Sequence, residues 1–259
     1  MKTKEKAMNR IVVITGATSG LGKAFLESYI KQGDQVVAVG RNREKCQQIQ
    51  KEIGEKTEVQ FCVVDLEKEK AEIEIYEFVK QRYGRIDILI NNAGFGKLGD
   101  FSELSVEDNG GMVRLNCEAL TVFTAISLPY IINGGEIINS CSIASFAPNS
   151  RMAVYSSTKA YVMSFSRALR EELKQKKINV LAVCPGPMDT EFLAVAGIEK
   201  GTSSTFDMLP RVNPKAVAIG SIKASKKKKA VYTNHIFYKF YRILAKILPH
   251  SLVMKMAKT

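Results

Sequence analysis

The sequence is poor in the patterns that build metal sites and disulfides. Its two histidines, His235 and His250, lie far in sequence from its five cysteines, and no C-x-x-C pair occurs. We therefore expect no metal site. The cysteines are expected to be small buried apolar residues in a reducing compartment, the cytoplasm. They are Cys46, Cys62, Cys117, Cys141 and Cys184.

Long hydrophobic runs and internal repeats are also absent. No run of eighteen apolar residues occurs, so we expect no helix that spans a bilayer. The basic N-terminal segment leads into an apolar stretch that is too short for a signal peptide. Without a low-complexity linker, the 259 residues predict one domain, 1–259.

Short hydrophobic runs alternate with helical patterns along the chain. We predict strands near 11–15, 35–39, 59–64, 86–91, 134–140, 178–184 and 230–233. The most regular helical patterns cover 20–32, 43–54, 68–83, 109–131 and 152–176. This alternation predicts an α/β fold: a single-domain, Rossmann-like, doubly wound parallel sheet of about seven strands with helices on both faces.

A glycine-rich turn follows the first predicted strand and reads T-G-A-T-S-G-L-G over 15–22. Its glycines allow a tight turn and let backbone N–H groups approach a pyrophosphate at the start of the next helix. An ordinary strand-to-helix turn is the alternative, but three glycines with Thr and Ser in eight residues disfavour it. The predicted contacts are Gly16, Thr18, Ser19, Gly20, Leu21 and Gly22.

The end of the second strand indicates which dinucleotide binds. An acidic residue there would accept hydrogen bonds from the ribose of NAD. This chain has Gly40 and Arg41 instead, and a planar guanidinium suits a 2′-phosphate. The pattern favours NADP(H) over NAD(H), unless Arg41 only opens the charged helix that follows.

Tyr155 and Lys159 are four residues apart, and Ser142 lies thirteen residues before the tyrosine. In a helix, positions i and i+4 share one face. A nearby ammonium favours the phenolate and draws the phenol's pKa, normally about 10, toward neutrality. The pair predicts a proton-transfer device, although an isolated Y-x-x-x-K is common on helix surfaces.

In its ordered set of motifs, the chain resembles the classical short-chain dehydrogenase/reductase family from the first strand to about Thr190. After the glycine turn come Asp65-Leu66, Asn91-Asn92-Ala93-Gly94 and Asn116. Ser142, Tyr155 and Lys159 follow, and then the segment from Pro185 to Thr190 that contains Gly186 and Met188.

The resemblance implies a role for each of these residues. Tyr155 is the general acid/base, Lys159 lowers its pKa and holds the nicotinamide ribose, and Ser142 hydrogen-bonds the reacting oxygen. Asn116 would hold a water beside Lys159, or cap polar groups inside its helix. Asp65 would bond the adenine, or act as a helix cap, and Asn91 would stabilise the sheet and line the cleft. Further cofactor contacts are Leu66, Asn92, Ala93, Gly94, Pro185, Gly186, Met188 and Thr190.

The implied activity is an NADP(H)-dependent exchange of hydride with a ketone or secondary alcohol. A segment at 190–212, rich in apolar residues, is expected to cover a hydrophobic small molecule. A 3-oxoacyl thioester is favoured, and a hydroxysteroid or other lipid ketone is the alternative. A catalytically silent dinucleotide-binding sensor or scaffold is an alternative from another class. The resemblance also implies a homodimer or homotetramer, formed through the long helix and the helix of Tyr155.

The C-terminal fifth lacks acidic residues altogether. After Leu209 there are twelve Lys and Arg and no Asp or Glu, which accounts for the chain's net charge of +12. Residues 234–259 predict a basic amphipathic extension. Packing on the body or a second subunit ranks ahead of weak contact with a membrane surface. The run 226–229 is four lysines without a nucleic-acid module, so we expect no nucleic-acid binding.

Overall fold

The computed structural model describes residues 9–54, 58–199, 201 and 203–256. Within these residues seven strands form one parallel sheet in the order β3-β2-β1-β4-β5-β6-β7. The strands are β1 (Ile11–Thr15), β2 (Gln35–Gly40), β3 (Val59–Val63), β4 (Ile86–Asn91), β5 (Ile131–Ser140), β6 (Asn179–Val183) and β7 (Val231–Tyr232). The predicted Rossmann-like sheet is confirmed.

Helices cover both faces of the sheet. They are α1 (Gly20–Ile30), α2 (Arg43–Ile53), α3 (Ala71–Tyr83), α4 (Val106–Val113), α5 (Leu120–Ser127), α6 (Ala153–Glu172), α7 (Glu191–Val195), α8 (Ser204–Met208), α9 (Pro214–Lys226), α10 (Ile236–Ile247) and α11 (His250–Met256). A π-helical segment, Arg114–Ala119, joins α4 to α5. No helix in the described ranges is long and apolar enough to cross a membrane.

Alternate side chains of β1 point to opposite faces of the sheet, where two separate hydrophobic cores lie. Val12 and Ile14 pack into a core shared with α1 and α9, whereas Val13 packs into a core shared with α3 and α5. All three are fully buried. A strand that is apolar on both faces suits the middle of a parallel sheet.

Several predicted boundaries were wrong. The helix predicted at 109–131 begins at Val106, because Ser105 Oγ accepts a hydrogen bond from Asp108 N at 2.9 Å and caps it. At the other end Ile131 already belongs to β5, which was predicted to begin at 134. The last strand is only Val231–Tyr232. Helix α9 was missed, although Asn213 as cap and Pro214 as first residue signal its start.

A buried hydrogen-bond network joins the middle of the sheet to the helices on one face. Asn91 Nδ2 on β4 donates to Thr124 Oγ1 on α5 and to Asn139 Oδ1 on β5, both at 2.9 Å. Asn139 Nδ2 then donates to Ser166 Oγ on α6, also at 2.9 Å. The network ties together the elements that later position the site, as expected for the sheet role of Asn91.

We predict that Asn139→Ala lowers the free energy of unfolding by about 2–3 kcal/mol, because it removes a buried amide together with its hydrogen bonds to Asn91 and Ser166. Asn133 is exposed on the same strand. Asn133→Ala should therefore change stability by less than about 0.5 kcal/mol. Urea denaturation followed by circular dichroism measures both. Equal losses in the two variants would contradict a stabilising role for the network.

Candidate active site

A cavity of about 580 Å³ lies outside the carboxyl ends of the strands. Such a crevice, where the strand order reverses beside β1, is the usual ligand site of open α/β sheets. Gly22, Asn91 and Asn116 are not among the lining residues, so the expectation that Asn91 lines the cleft was wrong. The other predicted site residues line it: Gly16, Thr18, Ser19, Gly20, Leu21, Arg41, Asp65, Leu66, Asn92, Ala93, Gly94, Ser142, Tyr155, Lys159, Pro185, Gly186, Met188 and Thr190.

The glycine turn brings the backbone close to this cavity. Gly16 and Gly20 have φ of 64° and 50°, in the left-handed region that favours glycine. Gly22 faces the turn: a Cβ there would lie 2.0 Å from the Gly16 carbonyl oxygen. Ser19, the N-cap of α1, makes no side-chain cap hydrogen bond in the described structure. The N–H groups of the first turn therefore remain available to a phosphate, which fits a dinucleotide.

The loop after β4 is fixed against the turn by polar contacts. Thr15 Oγ1 accepts hydrogen bonds from Asn92 N at 2.9 Å and Ala93 N at 3.0 Å. Asn92 Nδ2 donates to the carbonyl oxygens of Thr15 at 3.2 Å and Gly16 at 3.1 Å. Ser140 Oγ donates to Asn92 Oδ1 at 2.9 Å. The sequence analysis did not predict that Thr15 and Ser140 help to build the site. Both residues end a strand next to motif residues, and this position could have identified them.

Arg41 lines the cavity and lies before the N-cap Asn42 of α2, outside that helix. Arg41 thus precedes the charged helix, and its contact with a cofactor stays a prediction. Its guanidinium donates to Glu67 Oε1 at 2.9 Å. Glu67 also lines the cavity, beside Asp65 and Leu66. A 2′-phosphate placed here would compete with the Glu67 carboxylate for Arg41.

Asn116 lies in the π-helical segment and is almost completely buried. Its Oδ1 accepts from Phe95 N at 3.0 Å, and its Nδ2 donates to Phe95 O at 2.8 Å and Thr158 Oγ1 at 3.0 Å. These contacts fix the loop after β4 to α6, one residue before Lys159. A water held by Asn116 stays a prediction.

Ser142, Tyr155 and Lys159 meet at the wall of the cavity, and all three are buried. Ser142 Oγ accepts a hydrogen bond from Ala144 N at 3.1 Å and lies next to the phenol of Tyr155, whose pKa it lowers. Lys159 Nζ donates to Ser140 O at 2.9 Å and lies 5.7 Å from the centroid of the Tyr155 ring. The i, i+4 geometry predicted for the tyrosine and lysine is present on α6.

The pKa values of this pair differ from the sequence-based expectation. Burial raises the pKa of Tyr155 above its ordinary value, and Ser142 only partly opposes this. Burial also lowers the pKa of Lys159. The expectation that the lysine brings the phenol's pKa toward neutrality is wrong for this structure, because desolvation outweighs it. Tyr155 is consequently protonated at neutral pH and able to donate a proton.

Apolar side chains surround the remainder of the cavity. From the segment 190–212, the lining residues include Phe192, Leu193, Val195, Ile198, Phe206 and Leu209. The ring of Phe192 lies 5.6 Å from that of Tyr155, centroid to centroid. Met208, in the same segment, is exposed instead. In the described ranges no group of three or more His, Cys, Asp and Glu side chains could hold a metal ion.

Helix α10 forms a wall that was not predicted, with Phe237, Tyr238 and Tyr241 lining the cavity. Tyr238 is fully buried, and its hydroxyl donates to Pro210 O at 2.7 Å. A Cβ on Gly186 would lie 2.1 Å from Tyr238 Cε2. Glycine at 186 therefore leaves room for the ring that anchors α10. Helical spacing in the sequence predicted the helix but not the surface on which it packs.

Comparison with known proteins agrees with this geometry. The model of the family described as short chain dehydrogenase matches residues 10–200. An uncharacterised oxidoreductase of Staphylococcus saprophyticus is 28% identical over 232 residues, which cover 88% of this chain and 96% of that protein.

Two solved structures share the fold across most of their length. A short-chain dehydrogenase from Sphingobium yanoikuyae in complex with NADPH has a TM-score of 0.80 and 26% identity, covering 93% of this chain and 97% of that chain. A 3-ketoacyl-(acyl-carrier-protein) reductase from Brucella melitensis complexed with NADH has a TM-score of 0.76 and 25% identity, covering 87% and 97% respectively.

We predict that Gly186→Ala lowers the free energy of unfolding by about 1–3 kcal/mol, because the new methyl group collides with the buried ring of Tyr238. The loss should shrink when the same change is made in a Tyr238→Ala background, where the ring is missing. Thermal denaturation of the four proteins in this cycle measures the coupling. Identical losses in both backgrounds would show that Gly186 does not hold α10 through Tyr238.

Proposed function

This chain belongs to the short-chain dehydrogenases, and we propose that it is an NADP(H)-dependent oxidoreductase acting on the ketone or secondary alcohol of a hydrophobic substrate. One observation carries the proposal. The buried hydroxyls of Ser142 and Tyr155 and the ammonium of Lys159 share a single cavity with the glycine turn. Phosphate-binding backbone and proton-transfer groups thus face the same space.

The residues of the chain divide the work of reduction. A bound nicotinamide dinucleotide would supply the hydride that adds to the carbonyl carbon. Tyr155 donates its proton to the carbonyl oxygen, and Ser142 donates a hydrogen bond that stabilises charge developing on that oxygen. Lys159 is positioned through Ser140 O and would hold the ribose next to the nicotinamide. In alcohol oxidation both transfers reverse, and Tyr155 acts as the base.

Cofactor preference is proposed to depend on Arg41. No carboxylate stands at the end of β2, and the guanidinium lies at the cavity wall. Glu67 competes for this cation, which should make the preference for NADP(H) moderate. The solved relatives carry NADPH in one case and NADH in the other, so the family accommodates both.

Two substrate classes fit the apolar part of the cavity. A 3-oxoacyl thioester is supported by the similarity to a 3-ketoacyl reductase and by the basic C-terminal segment, which would attract phosphates. A lipid ketone is supported by the aromatic wall that α10 adds next to the segment 190–212.

We also propose that the protein is a homodimer or homotetramer that pairs through the α4–α5 region and α6. Val113, Val122 and Tyr161 lie in this region and are exposed in the single chain. Such side chains would be covered in an assembly.

Tyr155→Phe is expected to lower turnover by about 10²–10⁴-fold, because it removes the proton donor. Binding of NADPH, followed by fluorescence, should survive. Tyr83→Phe is the control, because this tyrosine ends α3 and lies outside both the cavity lining and the proposed pairing region. Unchanged turnover in Tyr155→Phe would disprove the assignment, and a wild-type protein that binds NADPH but reduces no ketone would indicate the silent sensor.

The same assay has a pH dependence that follows from the raised pKa of Tyr155. Reduction needs the protonated phenol, which is present below its pKa. Loss of the Tyr155 proton should therefore not lower the rate of reduction by the wild type up to at least about pH 9.

Arg41→Ala is expected to raise the KM for NADPH about tenfold while the KM for NADH stays nearly constant, because only the 2′-phosphate loses a charged partner. Glu67→Gln should lower the KM for NADPH, since it frees Arg41. Arg43→Ala is the control, as that side chain is exposed two residues away and outside the cavity lining. A wild-type preference for NADH would refute the proposal.

A further inference from the structure

Helix α10 has two apolar faces, and only one of them packs on the protein. Tyr238 and Ala245 are buried against the body. On the opposite side Ile236, Phe240, Ile243 and Ile247 are 74%, 61%, 55% and 73% exposed. Their spacing of four, three and four residues places them in one row along the helix. The expectation that the apolar stripe packs on the body therefore holds for one face only.

Cations flank this exposed row. Lys239, Arg242 and Lys246 are exposed and follow one another at intervals of three and four residues, so they form a second row beside the apolar one. Lys255 on α11 adds another positive charge, and no acidic residue occurs after Leu209. The outward surface of α10 is thus both apolar and strongly basic, a combination that suits the boundary of an anionic bilayer.

The same helix forms part of the cavity wall. Phe237, Tyr238 and Tyr241 line the cavity, and Phe237 is also exposed. Its neighbour Ile236 belongs to the outer apolar row. The outer apolar surface of α10 therefore adjoins the cavity wall at Phe237.

We propose that α10 docks on the surface of an anionic lipid bilayer and that a long-chain ketone dissolved in the bilayer enters the cavity past Phe237. The second half of this statement rests on the proposed oxidoreductase function, whereas docking does not. Because one amphipathic helix supplies limited apolar area, the contact should be reversible and sensitive to salt.

Charge decides between a bilayer and a second copy of the chain. Two copies that met through this face would bring Lys239, Arg242 and Lys246 of each close together, with no acidic partner after Leu209. Like charges at an interface disfavour association. Anionic headgroups instead complement the basic row while acyl chains cover the apolar row.

Vesicle flotation of the full chain tests docking. We expect binding to vesicles of phosphatidylcholine mixed with phosphatidylserine, and weak binding to phosphatidylcholine alone. Ile243→Asp should weaken binding at least about tenfold, because it places a charge in the apolar row. Val106→Asp, at a more exposed apolar position on α4, should bind like the wild type.

The basic row is tested separately. Each cation near an anionic surface strengthens binding about fivefold, so the double change Lys239→Glu and Lys246→Glu should weaken it by more than about twentyfold. Lys51→Glu, on the exposed side of α2, is the control. Equal binding by this control and the double variant, or no vesicle binding by the wild type, would overturn the proposal. A third outcome would also overturn it: the wild type forms a dimer in sedimentation analysis, Ile243→Asp dissociates that dimer, and neither protein binds vesicles.

Substrate entry is tested by comparing two ketones. Ile243→Asp should reduce a small water-soluble ketone at the wild-type rate, but it should reduce a long-chain ketone carried in anionic vesicles at least about fivefold more slowly. If Ile243→Asp slows the reduction of both ketones equally, the proposal that the substrate enters from the bilayer is wrong. Tyr155→Phe should bind vesicles normally and reduce neither ketone. If the wild type binds vesicles but reduces neither ketone, the proposed oxidoreductase function is wrong, whereas the proposal that α10 docks on a bilayer still stands.

Discussion

The site depends on how closely two backbone segments approach each other at the end of β1. A Cβ on Gly16 would lie 3.0 Å from Ala93 Cα, so the turn and the loop after β4 are in contact without intervening side chains. Thr15 and Asn92 use the polar groups at this junction for mutual hydrogen bonds. The first turn of α1 is thereby left open toward the cavity. Cofactor binding and sheet packing consequently both require close contact between these two backbone segments. Residues larger than glycine at 16 or 22 would prevent that contact.

Burial dominates the electrostatics of the proton-transfer residues. Tyr155 and Lys159 lie in an interior where desolvation favours the neutral form of each, so the phenol's pKa rises and the ammonium's falls. Hydrogen bonds then determine orientation more than charge does: Ser142 contacts the phenol, and Ser140 O holds the ammonium. Motif spacing identifies which groups meet but not how dry their surroundings are. An argument that considers only the charge of Lys159 next to Tyr155 therefore predicts the wrong direction for the change in the pKa of Tyr155.

The features that could be predicted from the sequence depend on residues close together in the chain. The β-branched run before Gly16 and the i, i+4 relation on α6 are short-range patterns, and the structure has both where expected. The π-helical segment around Asn116 was not predictable in this way, because its amide is held by Phe95 and Thr158 from distant parts of the chain. The missed role of Tyr238 has the same origin. Its ring packs on Gly186, 52 positions earlier by residue number, and no periodicity within α10 encodes that contact.

The packing of Tyr238 on Gly186 also connects two parts of the molecule that the sequence treats separately. Gly186 belongs to the segment expected to contact the cofactor, and Tyr238 fixes the helix that carries the basic and apolar outer rows. The hydroxyl of Tyr238 donates to the carbonyl oxygen of Pro210, near the end of the segment 190–212 that lines the cavity. A displacement of α10 would therefore alter both that lining and the wall beside the cofactor segment. An exposed apolar row on such a helix is costly in water unless something covers it. A bilayer that covers this row and also carries the substrate would explain why the row lies on a helix that lines the cavity.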